Sequence, residues 1–258
     1  MILYEQAKME INLNKITRNR KCIFLAYDQG LEHGPTDFND KNVDPKYVLD
    51  IAAKGRYNAV ILQKGIAEKY YKPYKKKVPL ILKLNGKTRL LKGDPVSTQV
   101  CSVKKAIELG ASAVGYTIYI GSEHEPEMFS QFKKIEEEAH ANGLPVVMWA
   151  YPRGAVVKNE LGRDILAYAA RIGLELGADI IKLKYNGRIN DLKWIIKSAG
   201  KAKVVIAGGS KVSEKELLKE TREVIRAGAS GLAIGRNIWQ SDNPLERTKK
   251  LKEIIWEK

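Results

Sequence analysis

Short apolar segments of β type alternate with longer amphipathic segments along this chain of 258 residues. Apolar residues in the longer segments recur at steps of three and four, which is typical of amphipathic helices. Strands that alternate with helices connect through right-handed crossovers and form a parallel sheet. Eight such units in about 250 residues predict an α/β fold, the (β/α)8 or TIM barrel. The eight predicted strands are residues 22–27, 59–62, 79–84, 113–119, 145–151, 179–185, 203–208 and 231–235. The clearest predicted helices are residues 102–109, 127–142, 161–176, 213–227 and 243–257.

A repeated glycine supports this count. Gly55, Gly110, Gly177 and Gly228 each end a helical stretch and precede the second, fourth, sixth and eighth strand, at intervals of 55, 67 and 51 residues. Each interval fits two β–α units, and each glycine suits a left-handed helix C-cap. An open doubly wound sheet is the alternative, which is disfavoured because no GxGxxG follows the first strand.

No linker or low-complexity segment divides the chain, so we expect one domain over residues 1–258. Residues 1–20 are expected to be an irregular extension before the first strand, and residues 30–45 a long loop after it.

Composition excludes several classes of protein. Only two cysteines are present, Cys22 and Cys101, so a disulfide scaffold and a cysteine-based zinc site are excluded. The three histidines, His33, His124 and His140, lack ligand spacing, and we expect no metal and no cofactor. No apolar run has the length of a membrane span, and the N-terminus does not resemble a signal peptide. We therefore expect a soluble, cytoplasmic protein without a membrane partner.

The net charge of +15 favours an anionic partner, which could be a phosphorylated metabolite, nucleic acid or an acidic surface. The densest basic runs are residues 15–21 and 69–77, and the second interleaves three tyrosines with its lysines. Basic residues interleaved with aromatic ones suit single-stranded nucleic acid. Most other lysines lie beside glutamates on helical faces, where solvated ion pairs explain them. Nucleic acid is therefore the less favoured partner.

Lys182 is the most unusual residue of the predicted barrel strands. Side chains alternate along a strand, so Ile180, Lys182 and Lys184 share one face, while Ile181 and Leu183 suit the interface with the outer helices. A lysine in an apolar site beside another cation has a lowered amine pKa, as a Schiff-base nucleophile requires. The alternative is a structural ion pair between Lys182 and a buried carboxylate.

Other polar residues and glycines follow the strand ends, where barrel enzymes have their active sites. The turns with Gly208 and Gly209 and with Gly235 and Arg236 suit a phosphate group, although glycines also serve ordinary tight turns. Asp28 is a candidate general base or the N-cap of the next turn. Tyr151 and His33 are also candidates, but each has a structural alternative: Tyr151 could equally be a core residue, and His33 could be a solvated histidine in a loop.

The blocks FLAYDQGLEHGP, VILQKGIAEKYY, LILKLNGKT, SAVGYTIYIGS, AYPRG, LGADIIKLKYNG, AGGSK and IGRNIWQ together resemble the archaeal-type class I fructose-bisphosphate aldolases. The resemblance covers residues 22–240, with the blocks in the expected order. It implies a metal-independent lyase that cleaves fructose 1,6-bisphosphate reversibly to dihydroxyacetone phosphate and glyceraldehyde 3-phosphate. It also implies assembly as a homo-oligomer, such as a ring or decamer.

The resemblance assigns roles to individual residues. Lys182 would form the Schiff base, Tyr151 would donate and accept the proton, and Asp28 would assist at the sugar hydroxyls. The substrate and phosphate contacts would come from His33, Asp37, Arg153, Lys184, Ala207, Gly208, Gly209, Gly235 and Arg236.

Two positions depart from that family. Gln29 stands where a histidine is frequent, and the loop at residues 207–211 reads AGGSK where SGGPK is frequent. The first removes an imidazole and the second a serine hydroxyl. A lysine-dependent synthase of the 2-amino-3,7-dideoxy-heptulosonate type, or an aldolase for a phosphorylated signal sugar, shares the YPRG, lysine and GRN blocks and is the enzymatic alternative. A nucleic-acid binder without catalysis is the alternative of another class.

Overall fold

The eight predicted strands form one closed parallel barrel, which confirms the predicted fold class. The computed structural model describes the backbone of residues 2–256 and the side chains of residues 9–256. The predicted domain also includes residues 1, 257 and 258, and the last predicted helix includes residue 257; these positions lie outside the described residues. Each strand pairs with its sequence neighbours, and the first closes against the eighth, with Cys22 opposite Gly231. The barrel strands are Cys22–Ala26, Ala59–Gln63, Leu80–Lys83, Ala113–Ile120, Val146–Pro152, Ile180–Leu183, Lys203–Ala207 and Gly231–Ile234.

Helices cover the outside of the barrel, as the three- and four-residue periodicity predicts. The described α-helices are Ile2–Ile16, Gly30–His33, Pro45–Lys54, Lys64–Tyr70, Val103–Leu109, Glu125–Ala141, Arg163–Glu175, Ile189–Ser198, Glu214–Arg226, Arg236–Trp239 and Pro244–Trp256. Gly34–Asp37 and Lys72–Tyr74 form 3₁₀ turns, and Asn85–Gly86 pairs with Thr98–Gln99 in a short antiparallel ladder. None of the described helices has the length and apolar character needed to cross a bilayer.

Two predictions about the first 45 residues are wrong. The N-terminal extension is helical from Ile2 to Ile16, and Ile16 is buried in the cluster of side chains that fills the barrel interior. The interval 30–45 is a loop only in part, because it contains the short helix Gly30–His33 and the 3₁₀ turn after it.

The glycine prediction holds at three of its four positions. Gly110, Gly177 and Gly228 have φ of 76°, 85° and 100°. Gly55 stays right-handed at −74°, and the next residue, Arg56, takes the positive φ of 50°.

The lysine–tyrosine run at residues 69–77 does not form a surface for stacking bases. Tyr71 and Tyr74 are buried, and their hydroxyls donate to the Val78 carbonyl and to Asp50. Only Tyr70 of the three tyrosines is exposed. The aromatic feature that suits a nucleic-acid partner is therefore part of the core.

Candidate active site

A cavity of about 360 Å³ opens at the carboxyl ends of the barrel strands. This is the end at which TIM-barrel enzymes have their active sites. It brings together eleven of the twelve residues predicted as the site; the twelfth, Asp37, does not line the cavity but contacts His33 and Arg236, which do. The eleven are Asp28, His33, Tyr151, Arg153, Lys182, Lys184, Ala207, Gly208, Gly209, Gly235 and Arg236.

Lys182 points into the barrel, as the strand alternation predicts. It is 5% exposed, and Ile180 before it lies in the interior cluster, whereas Ile181 faces the outer helices. No described carboxylate lies within 4.0 Å of its amine, so the alternative of a buried ion pair is wrong for the described residues. Burial lowers the pKa of Lys182, and the Asp28 carboxylate only partly opposes that shift. Its amine therefore has the environment of a nucleophile.

A second buried lysine, Lys83, lies in the same interior, and the sequence analysis did not assign it to the site. It is 4% exposed, and its Nζ donates to the Oδ1 and backbone oxygen of Asn85 at 2.9 and 3.1 Å. Burial lowers the pKa of Lys83 to about 8; the Lys182 charge adds to this effect, and the Asp28 carboxylate opposes it. The sequence contains a signal for it, because Lys83 stands between apolar residues in PLILKL just as Lys182 does in IIKL.

The Trp149 ring is shared by these two lysines. The Nζ atoms of Lys182 and Lys83 lie 4.8 and 5.2 Å from its centroid. Gly115, which pairs with Lys83 across the strands, makes room for the ring: a Cβ at Gly115 would come within 2.4 Å of Trp149 Cζ3. The missing side chain at Gly115 therefore permits this arrangement of ring and amines.

Replacing Gly115 with Ala is expected to destabilise the protein by about 1–3 kcal/mol, because the added methyl group overpacks the barrel interior. It should also lower catalytic activity, since the displaced ring supports both amines. Thermal unfolding and steady-state kinetics check this. Gly65→Ala is the matched control, because a Cβ there meets nothing within 4 Å. Equal melting temperatures for the two variants would contradict the expectation.

Tyr151 is the penultimate residue of the strand that contains Trp149, and it lines the cavity with its side chain partly exposed. Burial raises the pKa of Tyr151 well above 10, and the nearby Asp28 carboxylate raises it further. The hydroxyl is therefore protonated at neutral pH. Tyr151 can donate a proton to an atom held in the cavity.

The loop after the seventh strand approaches the eighth strand closely. A Cβ at Gly208 would lie 2.6 Å from Ile234 Cγ1, and a Cβ at Gly235 would lie 2.6 Å from the Ala26 carbonyl oxygen. Asn237, which the sequence analysis did not assign, fixes this loop: its Nδ2 donates to the carbonyls of Gly208 and Ser210 at 2.7 and 2.8 Å. Such a tight, fixed loop can bring backbone amides to a phosphate.

Arg236 supplies a cation beside these glycines. Its guanidinium donates to the Gly209 carbonyl at 3.0 Å and pairs with Asp37 at 3.4 Å. The His33 Nδ1 lies 2.5 Å from the same carboxylate. Burial alone would raise the pKa of Asp37, but the His33 hydrogen bond and the Arg236 charge outweigh burial and lower it. Asp37 therefore stays ionised and holds the His33 and Arg236 side chains at the cavity.

Glu160 pairs with both Arg153 and Lys184, which line the cavity after the fifth and sixth strands. The Lys184 Nζ is 2.6 Å and the Arg153 Nε 3.3 Å from this carboxylate. The cation that shares a ring with Lys182 is therefore Lys83, whereas Lys184 has a carboxylate partner at the rim. Within residues 9–256, no three histidine, cysteine or carboxylate side chains come together as a set of metal ligands.

Comparisons with known proteins identify the family. Residues 22–241 match the DeoC/LacD family aldolase model. The fructose-bisphosphate aldolase class 1 of Thermoproteus tenax is 49% identical over 95% of this chain and 93% of its own, and that of Halobacterium salinarum is 46% identical over 94% and 93%. A solved archaeal fructose-1,6-bisphosphate aldolase, whose catalytic lysine is covalently bound to the carbinolamine intermediate of its substrate, superposes with a TM-score of 0.91 at 48% identity and covers 96% of this chain and 99% of its own. The chain belongs to the DeoC/LacD aldolase family and, within it, to the class 1 fructose-bisphosphate aldolases.

Proposed function

We propose that this protein cleaves fructose 1,6-bisphosphate reversibly to dihydroxyacetone phosphate and glyceraldehyde 3-phosphate through a Schiff base, without a metal or cofactor. The observation that carries the proposal is the position of Lys182. Its amine is buried in an apolar barrel interior, has no carboxylate within 4.0 Å among the described residues and opens on the cavity that Asp28 and Tyr151 line.

The first step is the attack of the neutral Lys182 amine on the C2 carbonyl carbon of the sugar. The new C–N bond gives a carbinolamine, which loses water to form a protonated imine. A lowered amine pKa favours this step because only the unprotonated amine is a nucleophile. The iminium is an electron sink, which accepts the bonding electron pair released in the next step.

The second step breaks the C3–C4 bond. Asp28 accepts the proton of the C4 hydroxyl, C4 becomes the aldehyde carbon, and the bonding electron pair moves through C3 and C2 to the imine nitrogen. Tyr151 then protonates the enamine at C3, and hydrolysis of the imine releases dihydroxyacetone phosphate. The reverse sequence gives condensation.

The two phosphates fit the cationic rim of the cavity. Gly208, Gly209, Gly235 and Arg236 would hold one phosphate, with Ala207 supplying the strand end that leads into the loop. Arg153 and Lys184 would face the other end of the sugar, whereas His33, which shares the Asp37 carboxylate with Arg236, would lie beside the first phosphate. Binding energy from these remote groups positions C2 over Lys182.

Replacing Arg236 with Gln is expected to lower kcat/KM for fructose 1,6-bisphosphate by about 10- to 100-fold, mostly through KM, because a charge-assisted hydrogen bond to phosphate is lost. Steady-state kinetics and competition by inorganic phosphate check this. Lys211→Gln removes a neighbouring cation that does not line the cavity and should leave both unchanged. If only kcat falls and inorganic phosphate still competes as in the wild-type protein, Arg236 does not bind the phosphate.

Borohydride trapping in EDTA, followed by peptide mass spectrometry, tests the proposed function. Fructose 1,6-bisphosphate and dihydroxyacetone phosphate should each leave a reduced adduct on Lys182. A heptulosonate-type synthase or a signal-sugar aldolase would show a higher kcat/KM with its own substrate than with fructose 1,6-bisphosphate. A nucleic-acid binder would leave no adduct and show steeply salt-dependent binding.

We also propose a cytoplasmic, glycolytic or gluconeogenic enzyme that works as a homo-oligomer, such as a decamer, and folds as one domain. Ile16 supports the single domain, since it ties the N-terminal helix to the barrel interior. Light scattering of the purified protein measures its molar mass in solution, and the mass of a monomer would contradict the proposed homo-oligomer.

A further inference from the structure

A buried polar atom of a cavity-lining residue has no partner among the described residues. Gln63, the last residue of the second strand, donates from Nε2 to the Asn85 carbonyl at 3.1 Å. This contact fixes the orientation of the amide, because a carbonyl oxygen in place of Nε2 could not donate. The Gln63 Oε1 is buried without any hydrogen-bond donor, and Gln63 lines the cavity. An acceptor in this state costs free energy unless a ligand satisfies it.

Lys83 supplies the complementary donor. Its Nζ donates to the same Asn85 carbonyl at 3.1 Å and to the Asn85 Oδ1 at 2.9 Å, which uses two of the three hydrogens of an ammonium group. The Lys83 Nζ and the Gln63 Nε2 each bond one shared oxygen, so both side chains reach the same part of the wall. Lys83 also lines the cavity.

Asn85 holds this pair rigidly. Its Oδ1 accepts from the Thr117 amide at 2.8 Å, and its Nδ2 donates to the carbonyls of Ser97 and Thr117 at 3.1 and 2.8 Å. Asn85 is fully buried, and all of its side-chain groups are satisfied. A donor and an acceptor that are anchored on such a residue are preorganised for a ligand.

A hydroxyl group matches the pair, because it donates one hydrogen bond and accepts another. We propose that Gln63 and Lys83 recognise the substrate hydroxyl on C3, the carbon next to the imine carbon: the hydroxyl donates to the Gln63 Oε1 and accepts from the Lys83 Nζ. This inference rests on the proposed function. Lys83 and Lys182 lie against one ring, and once C2 is bonded to Lys182 the free hydroxyl nearest to that bond is on C3, since C1 carries phosphate.

The pair should therefore select against a ketone that lacks this hydroxyl. Dihydroxyacetone phosphate and hydroxyacetone phosphate differ only in this group, and both can form an imine with Lys182. We expect the wild-type protein to be trapped by borohydride about 10- to 100-fold faster with dihydroxyacetone phosphate, as measured by the second-order rate constant. The ratio of the two rate constants cancels any change in the reactivity of Lys182 itself.

The Gln63→Met and Lys83→Met variants should each bring this ratio close to one, mainly by slowing dihydroxyacetone phosphate. Gln99→Met is the matched control, because Gln99 pairs with Asn85 in the short ladder but does not line the cavity. Circular dichroism identifies any variant that does not fold. The ratio of the two rate constants is then compared among the folded variants.

An unchanged ratio in a folded Gln63→Met or Lys83→Met variant overturns the proposal, even if both ketones react more slowly, because a purely structural role slows them equally. A wild-type ratio near one overturns it as well. Failure of the wild-type protein to form an adduct with either ketone is a different result, which refutes the proposed function.

Discussion

Replacing Lys182 with Met is expected to abolish aldol cleavage, with a fall in kcat on the order of 10⁵-fold, as for the removal of other catalytic nucleophiles. Met preserves most of the buried apolar stem, so the barrel should remain folded. It has no nucleophilic nitrogen, and the iminium that accepts the electrons of the C3–C4 bond cannot form. Steady-state cleavage of fructose 1,6-bisphosphate measures the loss, and thermal unfolding checks the fold.

The location of the trapped adduct makes this test specific. Lys83 and Lys184 also line the cavity, so the total amount of adduct does not identify the nucleophile. Peptide mapping should place the adduct on Lys182 in the wild-type protein and in a Lys184→Met variant. If Lys182→Met retains some cleavage and the adduct then forms on Lys83 or Lys184, that other lysine is the nucleophile and the assignment to Lys182 is wrong.

The barrel strands could be predicted from the sequence because each is a local pattern. The observed ends differ from the predicted ends by at most two residues. The N-terminal helix could not be predicted in the same way, because the surface that it packs against is not local. Ile16 is buried among side chains from the barrel strands, and Asn12 donates to the Gly143 carbonyl, 131 residues away.

The placement of the site also follows from a general rule. The carboxyl ends of parallel strands meet at one face of the barrel, so residues from distant segments could be assigned to one cavity before any distance was known. Lys182 could be identified because a lysine interrupts an apolar strand. Lys83 obeys the same pattern, and applying the alternation rule to the third strand would have found it.

Gln63 and Asn85 could not be found by such patterns. Each is an ordinary polar residue at a strand end, and its importance arises from contacts between strands. The Asn85 carbonyl accepts from both Gln63 and Lys83, and its side chain bonds Ser97 and Thr117. Gly115 is similar, because its role depends on the Trp149 ring of the neighbouring strand.

These contacts explain how an apolar barrel tolerates two amines. Asn85 satisfies two hydrogens of Lys83, and the Trp149 ring provides a favourable surface for both amines. Burial nevertheless lowers the pKa of each lysine, and Asp28 is the carboxylate that limits the shift for both. Asp28 therefore has an electrostatic effect on the nucleophile in addition to its proposed role at the C4 hydroxyl.

Replacing Tyr151 with Phe is expected to lower kcat by about 10²- to 10⁴-fold, the usual effect of removing a general acid, while leaving imine formation intact. The hydroxyl is protonated at neutral pH because burial and Asp28 raise its pKa. It can therefore serve as the proposed proton source for C3 after the C3–C4 bond breaks. The variant should accumulate the covalent intermediate, because the step after bond cleavage is the one that slows.

Proton exchange at C3 isolates that step. In D₂O the wild-type protein should exchange one C3 hydrogen of dihydroxyacetone phosphate stereospecifically for deuterium, since Tyr151 removes and returns a proton through the enamine. Proton NMR follows the exchange, and borohydride trapping of the same sample measures the imine. Tyr168→Phe alters an exposed tyrosine, 61% accessible, on an outer helix and should exchange at the wild-type rate. If Tyr151→Phe forms the adduct and still exchanges at the wild-type rate, another group carries the proton. The remaining acid groups at the cavity would then have to be tested in turn, beginning with Glu32, whose carboxylate lies 3.5 Å from the Tyr119 hydroxyl.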